Sequence, residues 1–328
     1  MNRIPTMLRR SLAAMTLCAT AIVPGLAHAA YPEQPIKMVV AYATGGGTDI
    51  IARLMAQYMQ KHMGNNASIV VMNRPGAGGA IGFTEVVNAK PDGYTIGFIN
   101  TPNVLTIPIE RMVSFHWSNY DLLGNVVDDP GNFSVHADTP IKSLGELAAY
   151  AKANPGAVTY GTTGIGSDDH LAALMFERAA GVKLTHVPFK GGAEVHNAIA
   201  SKQIFMAAMN IGEALQYQKG GTPLRHLGQM SDKRSNLAAN VPTFKEQGFK
   251  VIMASLRGIA APKGLPPAVR EQLVNAVQKA VSDPEFQAKA SNYFAPLRYL
   301  APAAYAAELK EDEAEFQQLW QVMPWTDK

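Results

Sequence analysis

Two glycine-bearing stretches carry the residues most able to do chemistry. One is Thr159-Tyr160-Gly161-Thr162-Thr163-Gly164-Ile165-Gly166-Ser167-Asp168-Asp169-His170-Leu171, and the other is Val39-Val40-Ala41-Tyr42-Ala43-Thr44-Gly45-Gly46-Gly47-Thr48-Asp49-Ile50. Each reads as a strand, a glycine loop and the start of a helix. Aligning Asp49 with Asp169 gives a shared Asp-x-[Ile/Leu]-Ala-x-Leu in both. Such a loop presents unpaired backbone N–H groups and the positive end of the helix dipole, which together favour an anion. Glycine lets the backbone approach closely, while Thr48 and Ser167 can cap the helix or offer a hydroxyl. A hydrogen bond to a charged partner contributes about 1.5–3 kcal/mol. Three or four, split between two loops, cover most of the roughly 8 kcal/mol behind micromolar affinity. A single loop of this kind is more often an ordinary tight turn. A matched pair points to a clamp.

Other chemistries fit the residues less well. Gly45-Gly46-Gly47-Thr48-Asp49 lacks the Lys-[Ser/Thr] of a nucleoside-triphosphate loop, and neither Gly76-Ala77-Gly78-Gly79 nor Gly164-Ile165-Gly166 completes a dinucleotide fingerprint. There is no Gly-x-Ser-x-Gly elbow. Asp168-Asp169-His170 is a conceivable metal or acid–base group, but acids that open a helix usually serve its dipole, and the other histidines lack ligand spacing. No cofactor and no metal are expected. Tyr42, Asn103, Lys190 and Arg257 are further candidates for the rim of a site: an aromatic wall, an amide, a donor and a counter-charge.

The elements that must position these loops alternate. Strands are expected at 36–42, 68–73 and 94–100, with a helix from Asp49 that Gly64 ends. The alternation resumes after an irregular stretch, 101–129, and a crossover at Asp128-Asp129-Pro130-Gly131. Strands at 158–161, 184–189, 204–210 and 224–230 are interleaved with helices at 144–153, 169–180 and 193–201. Residues 251–261 form a long apolar run that returns the chain to the first half, and the segment from Pro266 is helical, with breaks at Pro284 and Pro296. Strand–helix alternation argues for α/β parallel sheets, and two crossings argue for two hinged lobes with the ligand between them. The division expected is 30–130 with 255–328 for the first lobe and 131–254 for the second.

The first 29 residues read as a secretory signal. Arg3, Arg9 and Arg10 precede an acid-free apolar stretch, Leu12 to Leu26, and Ala27-His28-Ala29 is a small-x-small cleavage site. Pro24 and Gly25 interrupt a run too short for a comfortable span. Those three arginines equal the whole formal surplus of +3, so no nucleic-acid partner is implied. The single cysteine, Cys18, would leave with the signal, and a cysteine-free exported chain is at home in a bacterial periplasm.

The chain also resembles the periplasmic substrate-binding proteins of tripartite tricarboxylate transporters, the Bug receptors. The resemblance rests on seven pieces in order: Gly45-Gly46-Gly47-Thr48-Asp49 with Ala52-Arg53; Asn73-Arg74-Pro75-Gly76-Ala77-Gly78-Gly79; Pro91-Asp92-Gly93-Tyr94-Thr95; Tyr160-Gly161 with Gly164 to Leu171; Val187-Pro188-Phe189-Lys190-Gly191-Gly192; Val241-Pro242-Thr243 with Glu246-Gln247-Gly248; and Gly258 with Ala261-Pro262. It implies a two-lobed Venus flytrap, type II-like, monomeric, that closes on a small carboxylate and delivers it to integral-membrane permease subunits. The ligand carboxylate would be held by the amides of Thr44 to Asp49 and Gly164 to Asp168. The family often has Pro at the position of Ala41 and Trp at that of Leu256. Leucine there would widen the cleft wall and Arg257 would meet a second carboxylate, which suggests a dicarboxylate, with a longer or aromatic one such as terephthalate as the refinement. The competing functions are a periplasmic hydrolase or lyase using Asp49, Asp168 or His170, and a ligand-sensing partner of a signalling receptor.

Overall fold

The structure, a computed structural model, describes residues 31–326. The expected signal segment and Cys18 lie outside the described residues. Among the described residues, ten strands and ten α-helices largely alternate. The first half contains β1 (Ile36–Val40), α1 (Gly47–Met63), β2 (Ile69–Asn73), α2 (Ala80–Val87), β3 (Thr95–Asn100), α3 (Asn103–Glu110) and β4 (Tyr120–His136). Then come α4 (Leu144–Ala153), β5 (Thr159–Thr162), α5 (Asp168–Ala180), β6 (Thr185–Pro188), α6 (Gly192–Ala200), β7 (Met206–Asn210), α7 (Ile211–Lys219) and β8 (Leu224–Gln229). The chain closes with β9 (Ala254–Pro262), α8 (Pro267–Ser282), α9 (Pro284–Asn292), β10 (Leu297–Leu300) and α10 (Pro302–Val322).

The strand order β2-β1-β3-β9-β4-β7-β5-β6 explains the internal repeat. β1 lies in the middle of a parallel triplet with β2 and β3, and β5 lies in the middle of another with β6 and β7. The two glycine loops follow these two central strands, so they leave equivalent places in the two halves. Ligands of open α/β sheets bind beyond the carboxyl ends of such strands, where the connections diverge to opposite faces. The antiparallel strands β9 and β4 join the triplets.

β4 is where the structure departs most from the sequence reading. An irregular stretch is expected over 101–129 and a crossover at Asp128 to Gly131, yet one regular strand runs through all four residues. Asp129 and Pro130 pair with Ser255 and Ala254 of β9, and the next residue, Gly131, already pairs with Asn210 of β7. Proline is tolerated because it stands where the ladder changes partners.

Each half buries its own core, giving the expected two-lobed, type II-like α/β architecture. Phe83, Phe98, Phe286 and Tyr305 belong to the first, and Phe133, Phe176, Phe244 and Trp325 to the second. α10 touches both, with Tyr305 and Leu309 in the first core and Leu319 and Trp320 packed against the second. Local signals end the site helices as the sequence suggests. Gly64 and Gly181 close α1 and α5 at φ 66° and 64°, a conformation that favours glycine.

Candidate functional site

The carboxyl ends of β1, β3, β5 and β7 and the entry to β9 converge on one small cavity between the lobes. It is lined by Tyr42, Gly46, Gly47, Thr48, Asn100, Asn103, Thr163, Asp168, Gly192, Asn210, Glu213, Ser255 and Arg257. Of the residues singled out in the sequence, Tyr42, Gly46, Thr48, Asn103, Thr163, Asp168 and Arg257 are therefore brought together. Thr44, Gly45, Asp49, Gly164, Gly166, Ser167 and Lys190 do not line it. The cavity is nearly closed, at about 20 Å³, room for about one water.

Closure comes from bonds that cross between the lobes. Ala43 N–H donates to the Lys190 carbonyl at 3.2 Å, and Thr106 Oγ1 donates to the Gly166 carbonyl at 2.7 Å. Tyr217 OH donates to the Gly45 carbonyl at 3.1 Å, and Gly47 N–H donates to Glu213 Oε1 at 2.6 Å. Lys190 thus contributes its backbone, while its side chain is exposed.

The repeated aspartates turn out to shape their loops. Asp49 Oδ2 accepts from Gly45 N–H at 2.9 Å, and its carboxylate also pairs with Arg53 and takes a bond from Asn73 Nδ2. Asp169 accepts from the Thr163 hydroxyl at 3.4 Å and from the Thr163 backbone. The two loops differ in what they leave free. In the second, Gly164 N–H goes to Thr162 Oγ1, Gly166 N–H to His170 Nδ1, and His170 N–H to the capping Ser167 hydroxyl. The hydroxyls and histidine of loop two thus take up the amides of Gly164, Gly166 and His170. In the first loop α1 has no side-chain cap. Thr48 Oγ1 instead accepts from Asn100 Nδ2 at 2.8 Å, and Gly47 N–H is aimed into the cleft.

Charge at the site is organised around Arg257, only 3% exposed. Its Nη2 lies 2.9 Å from Asn210 Oδ1, 3.2 Å from Asp129 Oδ2 and 3.5 Å from Glu213 Oε1. Asn210 extends the network by donating to Asp168 Oδ2 at 2.6 Å, and Gly212 N–H donates to Asp129 Oδ1 at 3.0 Å. Burial raises the acids: Asp129 is pushed up to about 7 and Asp168 to about 6, against the pull of Arg257. Asp169 is raised well above the usual range, first by burial and then by the charge of Asp168. One buried cation thus faces four buried acids.

Arg257 Nη2 is thus already engaged by Asn210, Asp129 and Glu213, and Leu256 does not widen the cleft. Successive residues of a strand point to opposite faces. Ser255 and Arg257 reach the cavity, whereas Leu256 packs into the first core. Three residues that line the cavity each carry a buried atom with no partner among the described residues: Asn100 Oδ1, Asn103 Nδ2 and Arg257 Nε. Leaving such atoms unpaired costs about 1–3 kcal/mol each, so their convergence on one cavity marks a place built for something polar.

His170 is not poised for acid–base work. It stacks on His186 with ring centroids 4.2 Å apart, and burial pushes its pKa down to about 3, so it is neutral. Among the described residues no group of three or more His, Cys, Asp or Glu side chains is arranged to hold a metal ion. The lining residues that the sequence reading passed over are Asn100, Gly192, Asn210, Glu213 and Ser255, while Gly47 falls within the Thr44 to Asp49 loop expected to hold the ligand. Most sit at strand–helix junctions like the two that were noticed, and the Asn210-Ile211-Gly212-Glu213 junction carried a readable signal.

Known proteins match this chain across most of its length. The model of the tripartite tricarboxylate transporter family receptor, TctC, matches residues 51–299. A Cupriavidus necator protein described as the UPF0065 protein in the gbd 5' region is 32% identical over 311 residues, covering 93% of each chain. The structure of the periplasmic binding protein BugD superposes with a TM-score of 0.84 at 32% identity, covering 91% of this chain and 100% of BugD. An R. palustris protein solved with adipate superposes with a TM-score of 0.83 at 25% identity, covering 89% of this chain and 97% of that one. The chain belongs to the tripartite tricarboxylate transporter receptor family.

Proposed function

We propose that this receptor is exported to the periplasm, captures a small aliphatic carboxylate between its lobes as a monomer, and hands it to the permease subunits of a tripartite transporter without catalysis. The carrying observation is the Gly47 amide at the start of α1, which faces the cleft and already holds a carboxylate, that of Glu213, at 2.6 Å. The unpaired Asn100, Asn103 and Arg257 atoms beside it supply the remaining contacts, with Tyr42, Thr48 and Thr163 completing the wall. The adipate held by the R. palustris protein of the same fold supports a carboxylate. The aromatic reading loses its main motive, because Leu256 is in the core and Arg257 Nη2 is engaged by Asp129 and Asn210. The lobe division near residues 130 and 255, the export segment 1–29 and the permease partner are parts of the same proposal.

A thermal-shift panel of adipate, malate, terephthalate and acetate tests it. Stabilisation by an aliphatic diacid is expected. Stabilisation by terephthalate alone would overturn the size argument, and stabilisation by none of the four would sink the carboxylate reading. Turnover of a bound acid would favour the hydrolase alternative. Asp49 is tied to its own loop, Asp168 is bonded to Asn210, and His170 is held by the Gly166 amide and the His186 ring, which argues against it.

A further inference from the structure

The cleft's best anion seat is filled by the protein itself. Glu213, 7% exposed on the first turn of α7, reaches across the gap between the lobes to the Gly47 amide. The two glycines around its head have no backbone reason to be glycine, since neither is among the residues with positive φ. What they lack is room. A Cβ at Gly47 would collide with Glu213 Oε1 and with Arg257 Nη1, and one at Gly192 would stand 2.5 Å from Glu213 Oε2. Both glycines are therefore cut to admit this carboxylate. Tyr217, one turn further along the same face of α7, bonds to the Gly45 carbonyl at 3.1 Å. Helix α7 thus closes on loop one at two points. With Glu213 in place, the cavity has room for about one water, so no ligand carboxylate can reach the Gly47 amide.

We propose that Glu213 is a built-in counter-ligand: its carboxylate holds the seat at Gly47 and closes the lobes, and an incoming acid must displace it. This rests on the reading of the cleft as a carboxylate site and adds a rule of selection to it. An acid that offers only a carboxylate replaces like with like and gains nothing. An acid that also satisfies Asn100 Oδ1, Asn103 Nδ2 and Arg257 Nε gains contacts that Glu213 leaves unmade. Glu213 is then the residue that decides which acids are admitted.

Isothermal titration with adipate and with malate tests the proposal in the wild type, Glu213→Gln and Glu213→Ala, alongside small-angle scattering of each protein without ligand. Removing the competing charge is expected to tighten binding of whichever acid the wild type takes by about tenfold or more, the net worth of one charged hydrogen bond. Without ligand, Glu213→Ala is expected to show a larger radius of gyration than the wild type. Equal or weaker binding by both variants would overturn the proposal, since Glu213 would then be neutral or a ligand contact. If no protein binds either acid, the aliphatic-diacid reading fails, and scattering alone decides for Glu213. Expansion of Glu213→Ala would then sustain the latch, and an unchanged radius would overturn it. Glu213→Gln is nearly isosteric, and its melting curve separates a competition effect from misfolding.

Discussion

Replacing Arg257 by methionine keeps most of the side chain's volume and removes its charge. The guanidinium is the partner of Asp129 at 3.2 Å, of Glu213 at 3.5 Å and of Asn210 Oδ1 at 2.9 Å, all inside the protein. Breaking a buried ion pair by removing one partner costs about 3–5 kcal/mol, because the surviving charge is left uncompensated. At about 2–4 °C per kcal/mol for a chain of this order of size, the midpoint at pH 8 should fall by on the order of 10 °C.

The loss should depend on pH, and the sign follows from Asp129. Its folded pKa is about 7, raised from 3.8 chiefly by burial. Below pH 4 the folded and unfolded chains both keep the proton, so nothing is lost. Between about 4 and 7 the unfolded chain releases it and the folded chain does not, so stability falls as pH rises through that window. Without Arg257 the folded pKa rises further and the window extends above 7. Each added unit costs about 1.4 kcal/mol where the group ionises. The destabilisation should therefore be full at pH 8 and less than half as large at pH 5, where Asp129 is already protonated in the parent. Thermal unfolding followed by circular dichroism at both pH values reads this directly, and adding Asp129→Asn should restore part of the loss at pH 8. A change below about 1 kcal/mol at pH 8, or an equal change at both pH values, would refute the view of Arg257 as the counter-charge of buried acids.

Two further substitutions separate scaffold from seat. Gly258→Ala would drive a Cβ into the ring of Tyr305, which is fully buried where α10 docks on β9. We expect a loss of about 1–3 kcal/mol in urea unfolding with unchanged ligand preference. Asp49→Ala removes the acceptor shared by Gly45 N–H, Arg53 and Asn73, and so unties loop one without touching the cavity wall. Adipate affinity should fall by about tenfold, from loss of a preformed seat, and the melting point should drop only modestly.

The sequence made the strand–loop–helix junctions legible because their signals are local. Glycine after an apolar run, an acid opening the helix and a glycine ending it all lie within one element. Asp49 and Asp169 could be aligned by eye, and the structure gives them the same task of tying a loop. What could not be read depends on register across the sheet. Arg257 meets Asp129 because β4 and β9 pair antiparallel, with Asp129 opposite Ser255 and Val127 opposite Arg257, and no local pattern announces that. Leu256 was misplaced for the same reason, since which face of β9 looks into the cleft is fixed by its neighbours. That a single strand carries the chain through Asp128 to Gly131 could not be read either, because the change of partners along β4 exists only once β7 is in place. Glu213 was the costliest omission. In the sequence it is an ordinary first-turn acid, and only the fold brings it within 2.6 Å of an amide 166 residues earlier. Amides at a helix start say that an anion is welcome. Which anion occupies them is decided by the charges the folded chain delivers to the same place. Here it delivers a glutamate, three buried aspartates and a single arginine, so a ligand acid enters by competition and is chosen by the contacts that Glu213 leaves unmade.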